Sequence, residues 1–560
     1  MRSRRYPLAM FRNTFLAFAL VSTAACGDDL TPPSPMPEAG LMDVSPPPAP
    51  PTATTTAGEV QGFHGEGYQA FLGIPYAAPP TESRRWAPPQ PALPWAGTRD
   101  ASTKPPSCKQ NLLGLGRNSS EDCLFLNVHA PSPLPESAPV MVWFHGGAFI
   151  FGEGMQTDGG TAGDILAREH GVIVVSMNYR LGPFGFLAHP ALSAEQAGVS
   201  GNYGLMDQRM ALEWVRDNIS SFGGDPNAVT IFGESAGGFS VCAHLLSPQS
   251  RGLFHRAISQ SGVCGRSLSP QTEAEADGVA LAESLGCADS ADPLTCLRAK
   301  TPEEIAEADS SAGGGIESLL TSRSWWIHHD GVTVPHDFGD AVASGDFADV
   351  PSVFGWTKDE GTLFVLLAEQ TGITADEARY DSTLLTIAMN EGVDPDLVRA
   401  QYPLSAYTDP GAAVAAILGD ANLICPSRRA TRSIAAAGVE IRAYRFDYPD
   451  AGFQLPSSRE LGAFHSGEIQ FIFGHPSMIG QRSFRGDDEP LNEAMSAYWA
   501  NFAKGSDAPA GQPSWPDFAA PDFTSLVFDR VIVPADNLNA DACALWDTAA
   551  SATPDAPSGT

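Results

Sequence analysis

The amino-acid sequence predicts an α/β protein with a large, mostly parallel central sheet and helices on both faces. Two near-continuous apolar runs, Val140 to His145 and Val172 to Asn178, are typical of strands that are covered on both sides. Amphipathic helical stretches alternate with such runs from residue 57 onward, which is the pattern of strand–helix–strand units. The 560 residues, 43% of them hydrophobic, are enough to bury a large core.

The next elements lead into a glycine-containing motif. The stretch from Leu205 to Phe222 has apolar side chains three and four residues apart, which predicts a helix that ends at the Gly-Gly-Asp-Pro run of residues 223–226. A strand is predicted over Val229 to Phe232. It runs directly into the sequence GESAG, so we expect a sharp turn there between a buried strand and a helix.

The first 25 residues are predicted to be an export signal. Arginines near the N-terminus precede an apolar run from Phe15 to Ala25, which is too short to cross a bilayer as a helix. Small residues before Cys26 resemble a bacterial lipoprotein signal and make Cys26 a candidate lipid anchor. Thr23 stands where such signals usually carry Leu, so ordinary cleavage stays open. We expect an exported protein, either a cell-envelope lipoprotein or a secreted one.

Three further segments are predicted behind the signal. Residues 26–56 are rich in Pro and Thr and have almost nothing apolar to bury, which predicts an extended tether. Residues 57–547 carry the alternating strand and helix patterns and are predicted to form one large domain. Residues 548–560 are small and polar and predict a disordered tail.

The charge of the chain limits its partners. The formal net charge is -32 at pH 7, whereas a protein that binds nucleic acid needs Lys and Arg to displace phosphate counterions. We therefore expect no nucleic-acid partner, and we expect contact with a membrane only through the candidate lipid anchor at Cys26. The sequence does not indicate an oligomeric state.

The cysteines indicate disulfide bonds rather than a metal site. Neither a CxxC pair nor an HExxH motif occurs, so no metal is expected. Disulfides persist in an exported chain, and three pairings are candidates, although spacing alone does not fix them. They are Cys108 with Cys123, Cys287 with Cys296, and Cys425 with Cys543. Cys242 and Cys264 are left, either as buried free thiols or as a fourth bridge.

Gly233 and Gly237 flank a candidate nucleophile, Ser235, in a GxSxG motif. A sharp turn from strand to helix holds its apex residue in a strained conformation, so the neighbours of that residue must lack bulk. The serine is thereby exposed, and the free amides and dipole of the following helix favour negative charge beside it. The predicted apolar strand before the motif and the small residues after it supply this context.

A second small-residue loop, HGGAF at residues 145–149, follows the predicted strand upstream of the serine. Small residues let backbone amides approach a substrate oxygen, and such loops supply oxyanion donors in enzymes that carry GxSxG. The expected donors are the backbone N–H groups of Gly147, Ala148 and Ala236. His145 itself is expected to be structural.

Longer stretches around these motifs resemble the type-B carboxylesterase/lipase family, to which the cholinesterases belong. The resemblance extends from about residue 57 to 547 and rests on several sequence landmarks. They are FLGIPYAAPP at 71–80, EDCLFLNV at 121–128, the HGGAF loop, NYRLGPFG at 178–185, GNYGLMDQ at 201–208, VPSVFGWTKDEG at 350–361, GAFHSGEIQFIFG at 462–474 and YWANF at 498–502. The resemblance implies the α/β-hydrolase fold and a serine hydrolase of carboxylic esters.

The resemblance also implies a catalytic triad. Glu360 in TKDEG matches the position of the family's acid, and His465 in AFHSGE matches that of its base. With Ser235 they follow the order serine, acid, histidine that is typical of this fold. His465 would take the Ser235 proton while Glu360 orients the imidazole. The implied substrate is a small-molecule ester, and this chemistry uses no cofactor.

Further residues match positions that the family uses around its triad and in its core. Glu234 and Glu468 resemble acidic residues near the triad and are expected to support it, or else to form structural ion pairs. Arg85, Glu121 and Arg180 match buried structural ion pairs and are given no catalytic role. The family also pairs cysteines in the three candidate combinations, which supports those pairings.

One departure from the family bears on the substrate. In cholinesterases the first disulfide loop is longer and carries a tryptophan that binds quaternary ammonium groups. The stretch between Cys108 and Cys123 has no aromatic residue, so acetylcholine is not an expected substrate. Trp325 and Trp326 could line a pocket, although paired tryptophans more often serve packing.

Other functions compete with the hydrolysis of small esters. A lipase for long-chain esters shares the chemistry but needs an apolar lid, which the sequence does not identify. Some relatives are surface binding or adhesion modules that lack parts of the triad, whereas this chain keeps Ser235, Glu360 and His465. A peptidase would need a peptide subsite, and no motif indicates one.

Overall fold

The computed structural model describes most of the chain that follows the N-terminal segment. The described residues are 48–110, 118–156, 160–309, 324–449, 451, 459–475, 483–486, 488–506 and 508–550, without the side chains of 549 and 550. The predicted export signal of residues 1–25, Cys26 and most of the predicted tether lie outside the described residues.

The strands of this part of the chain are mostly short. They are β1 (Thr52–Thr54), β2 (Glu59–Gln61), β3 (Phe63–His64), β4 (Tyr68–Pro75), β5 (Thr98–Asp100), β6 (Ser107–Cys108), β7 (Ser119–Ser120), β8 (Phe125–Pro131), β9 (Ala138–Phe144), β10 (Ile173–Met177), β11 (Gly224–Glu234), β12 (Arg256–Gln260), β13 (Ser352–Thr357), β14 (Ile441–Phe446), β15 (Ser525–Phe528) and β16 (Val533–Ala535).

Helices connect these strands. They are α1 (Asp164–His170), α2 (Gly182–Phe186), α3 (Pro190–Glu195), α4 (Tyr203–Asn218), α5 (Ala236–Leu246), α6 (Gln271–Ser284), α7 (Pro293–Arg298), α8 (Pro302–Ala308), α9 (Phe338–Ser344), α10 (Thr362–Gln370), α11 (Glu377–Glu391), α12 (Pro395–Gln401), α13 (Pro410–Gly419), α14 (Cys425–Ala436), α15 (Ile469–Phe473), α16 (Asp488–Ala503) and α17 (Ala540–Ala550). A π-helical turn, Asp420–Ile424, joins α13 to α14. Single 3₁₀ turns occur at Glu82–Arg84, Ile219–Phe222, Pro248–Ser250 and Leu404–Ala406.

Eleven of the described strands form the central sheet, in the order β16-β15-β14-β13-β12-β11-β9-β10-β8-β4-β3. The seven neighbours from β15 to β10 run parallel, and antiparallel pairs add the strands at both edges. The predicted large, mostly parallel sheet is confirmed. The elements expected from the apolar runs are β9, β10, β11 and α4, and the last of these continues into a 3₁₀ turn that ends at Phe222.

Both faces of the sheet are covered, as predicted. Successive side chains of a strand point to opposite faces, and in β9 Val142 lies in one apolar cluster while Trp143 lies in another. Leu212 of α4 packs in the first cluster and Met495 of α16 in the second. The near-continuous apolar character of β9 follows from this burial on both sides.

Both ends of the folded domain differ from the predicted boundaries. β1 lies in the predicted tether and pairs antiparallel with β2, with Thr52 opposite Gln61 and with Ala53 buried. The boundary at residue 57 is therefore wrong, because a three-residue strand that buries one small side chain does not stand out from a Pro- and Thr-rich sequence. At the other end α17 extends to Ala550, so residues 548–550 of the predicted tail are helical. The rest of the tail lies outside the described residues.

Four disulfides join the described cysteines. Three of them, Cys108–Cys123, Cys287–Cys296 and Cys425–Cys543, are the pairings that the sequence and the resemblance favoured. The fourth joins Cys242 to Cys264, with the two Cα atoms 5.5 Å apart. The structure therefore favours the fourth bridge over two free thiols.

Two of the buried ion pairs contain residues that the resemblance assigned to structural roles. Arg85 contacts Glu121 at 2.6 Å, and Arg180 contacts Asp207 at 2.7 Å. Both pairs are almost inaccessible to solvent, and breaking a buried pair leaves an uncompensated charge. Among the described helices, none has the combination of length and apolar character needed to cross a bilayer.

Candidate active site

Ser235 lies at the turn between β11 and α5, and its backbone angles are φ 56° and ψ -121°. Residues other than glycine rarely adopt a positive φ. The flanking glycines make the turn feasible, because a Cβ atom on Gly237 would overlap the carbonyl oxygen of Phe144 and one on Gly233 would lie 2.5 Å from the Gly237 carbonyl carbon. The predicted strand–serine–helix turn is therefore present, and its cause is close backbone packing.

The HGGAF loop leaves β9 beside this turn. Gly147 and Ala148 both have positive φ, at 109° and 51°. A Cβ atom on Gly146 would lie 3.2 Å from the Cβ atom of Ser235, which shows how closely the loop approaches the nucleophile. The small side chains predicted for this loop are thus required by proximity.

The three amides predicted as oxyanion donors are available. Within the described residues, the N–H groups of Gly147, Ala148 and Ala236 donate no hydrogen bond to the protein. Ala236 is the first residue of α5, and the first four amides of a helix have no partner inside it. Free amides beside a serine can stabilise a developing oxyanion.

The structure brings Glu360 and His465 together. Asp359, which follows β13, forms a single parallel bridge with Phe464, and this bridge brings the next residue of each segment together. His465 Nδ1 lies 2.6 Å from Glu360 Oε2. Both side chains are almost completely buried, with exposures of 4% and 1%. The ring of His465 also packs against Phe364.

A second serine, Ser261, completes the surroundings of Glu360. Its Oγ donates to Glu360 Oε1 at 2.6 Å, and the backbone N–H of Thr357 donates to the same oxygen at 2.8 Å. The sequence analysis did not identify Ser261. A polar residue directly after β12, the strand beside β11, was the available signal, because ligand and catalytic groups gather at the carboxyl ends of parallel strands.

Glu234 lies on the other side of the imidazole. Its Oε1 is 3.2 Å from His465 Nε2, and it also accepts a hydrogen bond from Ser466 Oγ. Among these residues, all of which are described, no hydrogen bond joins Ser235 Oγ to His465. His465 Nε2 therefore contacts Glu234 rather than Ser235 in this structure.

The carboxylates control the protonation of this cluster. Burial lowers the pKa of His465, but the charges of Glu234 and Glu360 outweigh it and raise that pKa to about 9. Burial raises the pKa of Glu234. It also raises the pKa of Glu468 to about 8, with a further contribution from the charges of Glu234 and Glu360.

Glu468 has two hydrogen-bond partners, Gln260 and Tyr444. Its Oε1 accepts hydrogen bonds from Gln260 Nε2 at 3.2 Å and from the Tyr444 hydroxyl at 3.3 Å. No cationic side chain of the described chain contacts it, so the alternative of a structural ion pair does not apply. Glu234 likewise contacts His465 and Ser466, and no Lys or Arg of the described residues.

The remaining sequence candidates have packing roles. His145 stacks on Tyr179 with ring centroids 4.3 Å apart, and burial lowers its pKa to about 4, so it is a neutral structural residue. Trp325 and Trp326 help to line a cavity of about 230 Å³. Trp326 also packs against Phe149 of the HGGAF loop, with ring centroids 5.6 Å apart.

Across the described residues, no group of three or more His, Cys, Asp or Glu side chains is arranged to hold a metal ion.

Comparisons with known proteins agree with this geometry. A model of the carboxylesterase family matches residues 49–546. The chain is 34% identical to an acetylcholinesterase of Bungarus fasciatus, over 85% of this chain and 82% of that protein. It is 34% identical to carboxylesterase 1D of Rattus norvegicus (84% and 88%) and 36% identical to a cholinesterase of Mus musculus (80% and 78%). The chain therefore belongs to the type-B carboxylesterase family of α/β-hydrolases and is a serine hydrolase of carboxylic esters.

Proposed function

We propose that Ser235, His465 and Glu360 are the catalytic triad of this esterase. The observation that supports the proposal is the contact between Glu360 and His465 at 2.6 Å, with Glu234, the residue before Ser235, 3.2 Å from the same imidazole. In this scheme His465 Nε2 accepts the Ser235 proton as Oγ attacks the ester carbonyl.

The remaining steps use groups that already surround Ser235. The amides of Gly147, Ala148 and Ala236 hold the oxyanion of the tetrahedral intermediate. The protonated His465 then gives its proton to the departing alcohol, which leaves an acyl group on Ser235. Water attacks this acyl-enzyme with the same base and the same donors, and the acid is released. Glu360 fixes the tautomer and orientation of the imidazole throughout.

The substrates that we propose are small, uncharged esters. Cation–π attraction to aromatic faces is the usual means of binding a quaternary ammonium group, and the segment between Cys108 and Cys123 contains no aromatic residue. This supports esters of ordinary alcohols over choline esters. A lipase for long acyl chains is the nearest alternative. We propose no nucleic-acid partner, because the net charge is -32.

The test is a p-nitrophenyl ester series from acetate to palmitate, with acetylthiocholine alongside and with Ser235→Ala as the control. We expect serine-dependent hydrolysis that is fastest on short chains, with little activity on the choline ester. A maximum at long chains would favour a lipase. Absence of activity on every ester, with Ser235 also unreactive toward a fluorophosphonate probe, would reject the triad and favour a binding module.

We also propose that the chain is exported and anchored to the cell envelope through Cys26. Four disulfides support export, since such bonds persist in oxidising compartments. Mass spectrometry of the mature N-terminus tests the anchor, and we expect a diacylated or triacylated Cys26. A mature chain that starts elsewhere without a lipid, and that is released in soluble form like a Cys26→Ser variant, would identify it as secreted.

A further inference from the structure

The fourth disulfide joins two segments that each carry a group of the proposed catalytic site. Cys242 lies in α5, two helical turns after Ser235. Cys264 follows β12 and is three residues beyond Ser261, whose hydroxyl donates to Glu360. Both cysteines are 2% exposed. The bond therefore connects the helix of the nucleophile to the loop that holds the acid.

The loop after β12 has an unusual backbone. Ser261 and Val263 have positive φ values of 50° and 44°, and a positive φ in a β-branched residue such as valine is a true outlier. Residues held in such conformations cost about 1 to 3 kcal/mol each and persist only where the surrounding structure fixes them. Contacts or bonds with the surrounding structure must therefore hold residues 261–263 in this backbone conformation.

Burial of Val263 in the apolar core and two backbone hydrogen bonds supply part of that restraint. The Ser261 backbone N–H donates to Gly355 O at 2.8 Å, and the Arg266 N–H donates to Val263 O at 3.0 Å. The covalent bond at Cys264, the residue after Val263, is a further restraint. The outlying backbone and the cross-link thus coincide.

Close packing against α5 shows what the bond maintains. A Cβ atom on Gly238 would lie 2.8 Å from the Gly262 Cα atom, so the loop lies directly on the helix. Ser259 Oγ donates to Gly238 O at 3.0 Å. Ser259 Oγ also lies 3.5 Å from the sulfur atoms of both Cys242 and Cys264.

We propose that the Cys242–Cys264 bridge is a positioning element of the catalytic site, which fixes the loop of residues 261–264 on α5 so that Ser261 holds Glu360 against His465. The proposal rests on the proposed triad. The bridge does not touch the substrate. It acts through Ser261, because a shift of that hydroxyl removes one of the two hydrogen bonds that orient Glu360 Oε1.

The main test compares two pairs of cysteine substitutions in the full chain. In Cys242→Ala/Cys264→Ala we expect kcat to fall about 10-fold with KM within about two-fold, because a small misplacement of a catalytic group reduces turnover. The matched control is Cys287→Ala/Cys296→Ala, which removes a bridge between the segment after α6 and α7 and is expected to leave kcat unchanged below its unfolding temperature. Equal kcat values for both variants, with only their melting temperatures lowered, would reduce the bridge to a stabilising role and overturn the proposal.

A double-mutant cycle separates positioning from general loosening. If the bridge acts through Ser261, removing it in a Ser261→Ala background lowers kcat by much less than it does in the unaltered chain. Strictly additive losses would contradict that route.

The pH profile gives a second measure, since Glu234, Glu360 and Glu468 raise the pKa of His465. If Glu360 is held less closely against His465, the pKa of His465 falls and the rising limb of the kcat/KM profile moves to lower pH. A general loss of stability does not move this limb.

Two further measurements keep the test decisive. If the double variant is not recovered as folded protein, Cys264→Ala alone removes the bond and keeps the sulfur in α5. Peptide mapping of the unaltered chain without reduction must find the 242–264 cross-link, and two free thiols there would overturn the proposal. Titration with a fluorophosphonate probe counts functional Ser235 in every variant. A failure of the triad itself would appear as full activity in Ser235→Ala, whatever the state of the bridge.

Discussion

Ser235 lies in a turn whose geometry is set by its sequence neighbours, whereas His465 and Glu360 meet across 105 residues of chain. The turn needs Gly233 and Gly237 because backbone approaches backbone at the end of β9, and its Ser235 N–H donates to Gln260 O of β12 at 2.9 Å. The acid and the base are joined through one parallel bridge between Asp359 and Phe464 and through Ser261 on a third segment. One half of the site is thus local in sequence and the other is assembled from distant segments.

This difference indicates which half of the site is more easily disturbed by changes elsewhere in the fold. Changes far from these strands should leave the turn of Ser235 intact, because its restraints lie within a few residues of Ser235 and at the ends of the two neighbouring strands, β9 and β12. The acid–base half depends on elements behind Glu360 as well. A Cβ atom on Gly361 would overlap the Ala415 carbonyl of α13, and one on Gly419 would lie 3.3 Å from the Glu360 Cβ atom. Loosening of α13 or α14 should therefore affect Glu360 first.

The largest expected effect is the loss of the nucleophile. Ser235→Ala should reduce kcat by about 10⁵-fold to 10⁶-fold, because the remaining groups cannot form an acyl-enzyme. The melting temperature should change little, since the hydroxyl makes no hydrogen bond to His465 in the structure. Steady-state kinetics on p-nitrophenyl acetate and calorimetry check both points. Ser284→Ala on the exposed face of α6 is the control, and residual activity close to that of the control would refute the assignment.

Neutralising the acid should give the next largest effect. In Glu360→Gln the amide keeps the shape but can donate to His465 Nδ1, which selects the wrong tautomer, and kcat should fall about 10⁴-fold. The fall should be smaller than that of Ser235→Ala, and the reactivity of Ser235 toward the fluorophosphonate probe should fall with it. The exposed substitution Glu377→Gln controls for charge. A loss below about ten-fold would show that Glu360 does not orient the base.

Removing the disulfide between Cys425 and Cys543 tests whether α14 supports the half of the site that contains Glu360 and His465. Cys425 begins α14 and is bonded to Cys543 across 118 residues. Removing this bond with alanine at both positions should lower the free energy of unfolding by about 5 kcal/mol on the chain-entropy model, against about 2.5 kcal/mol for Cys287→Ala/Cys296→Ala. Denaturant unfolding measures both values. If the acid–base half loosens first, activity is lost at lower denaturant concentrations than the global transition, and coincident curves would contradict the contrast between the two halves.

The sequence predicted the local half of the site more fully than the assembled half. The GxSxG motif and the HGGAF loop act through small residues and backbone amides, so their chemistry can be read from adjacent positions. Glu360 and His465 carried no local signal and were predicted through the family resemblance alone. Ser261 was missed because its hydrogen bond to Glu360 forms only in the folded sheet, where the ends of β12 and β13 lie side by side. The contact between Glu234 and His465 Nε2 also depends on rotamers that no sequence pattern encodes.

The smallest expected effect concerns the charge beside the base. His465 must be neutral to accept the Ser235 proton, and its pKa is about 9 in the structure, so kcat/KM should rise with pH through that region. Glu234→Gln removes one negative neighbour, which lowers the pKa of His465 and should move the rising limb down by about one pH unit. The charge control is the exposed variant Glu440→Gln. An unmoved limb in Glu234→Gln would mean that the carboxylate does not face Nε2 in solution.

The same pKa shift links this charge to stability. The pKa of His465 is higher in the folded chain than its ordinary value of 6.5, so the folded state binds this proton more tightly than the unfolded state. Its contribution to stability is fully present below about pH 6.5 and is lost as the pH rises through about 9. Glu234→Gln should therefore reduce the difference between the unfolding free energies at pH 6 and pH 9.5. If that difference stayed unchanged while the limb of kcat/KM moved, the limb would not report the pKa of His465, because kcat/KM follows the pKa of the free folded enzyme.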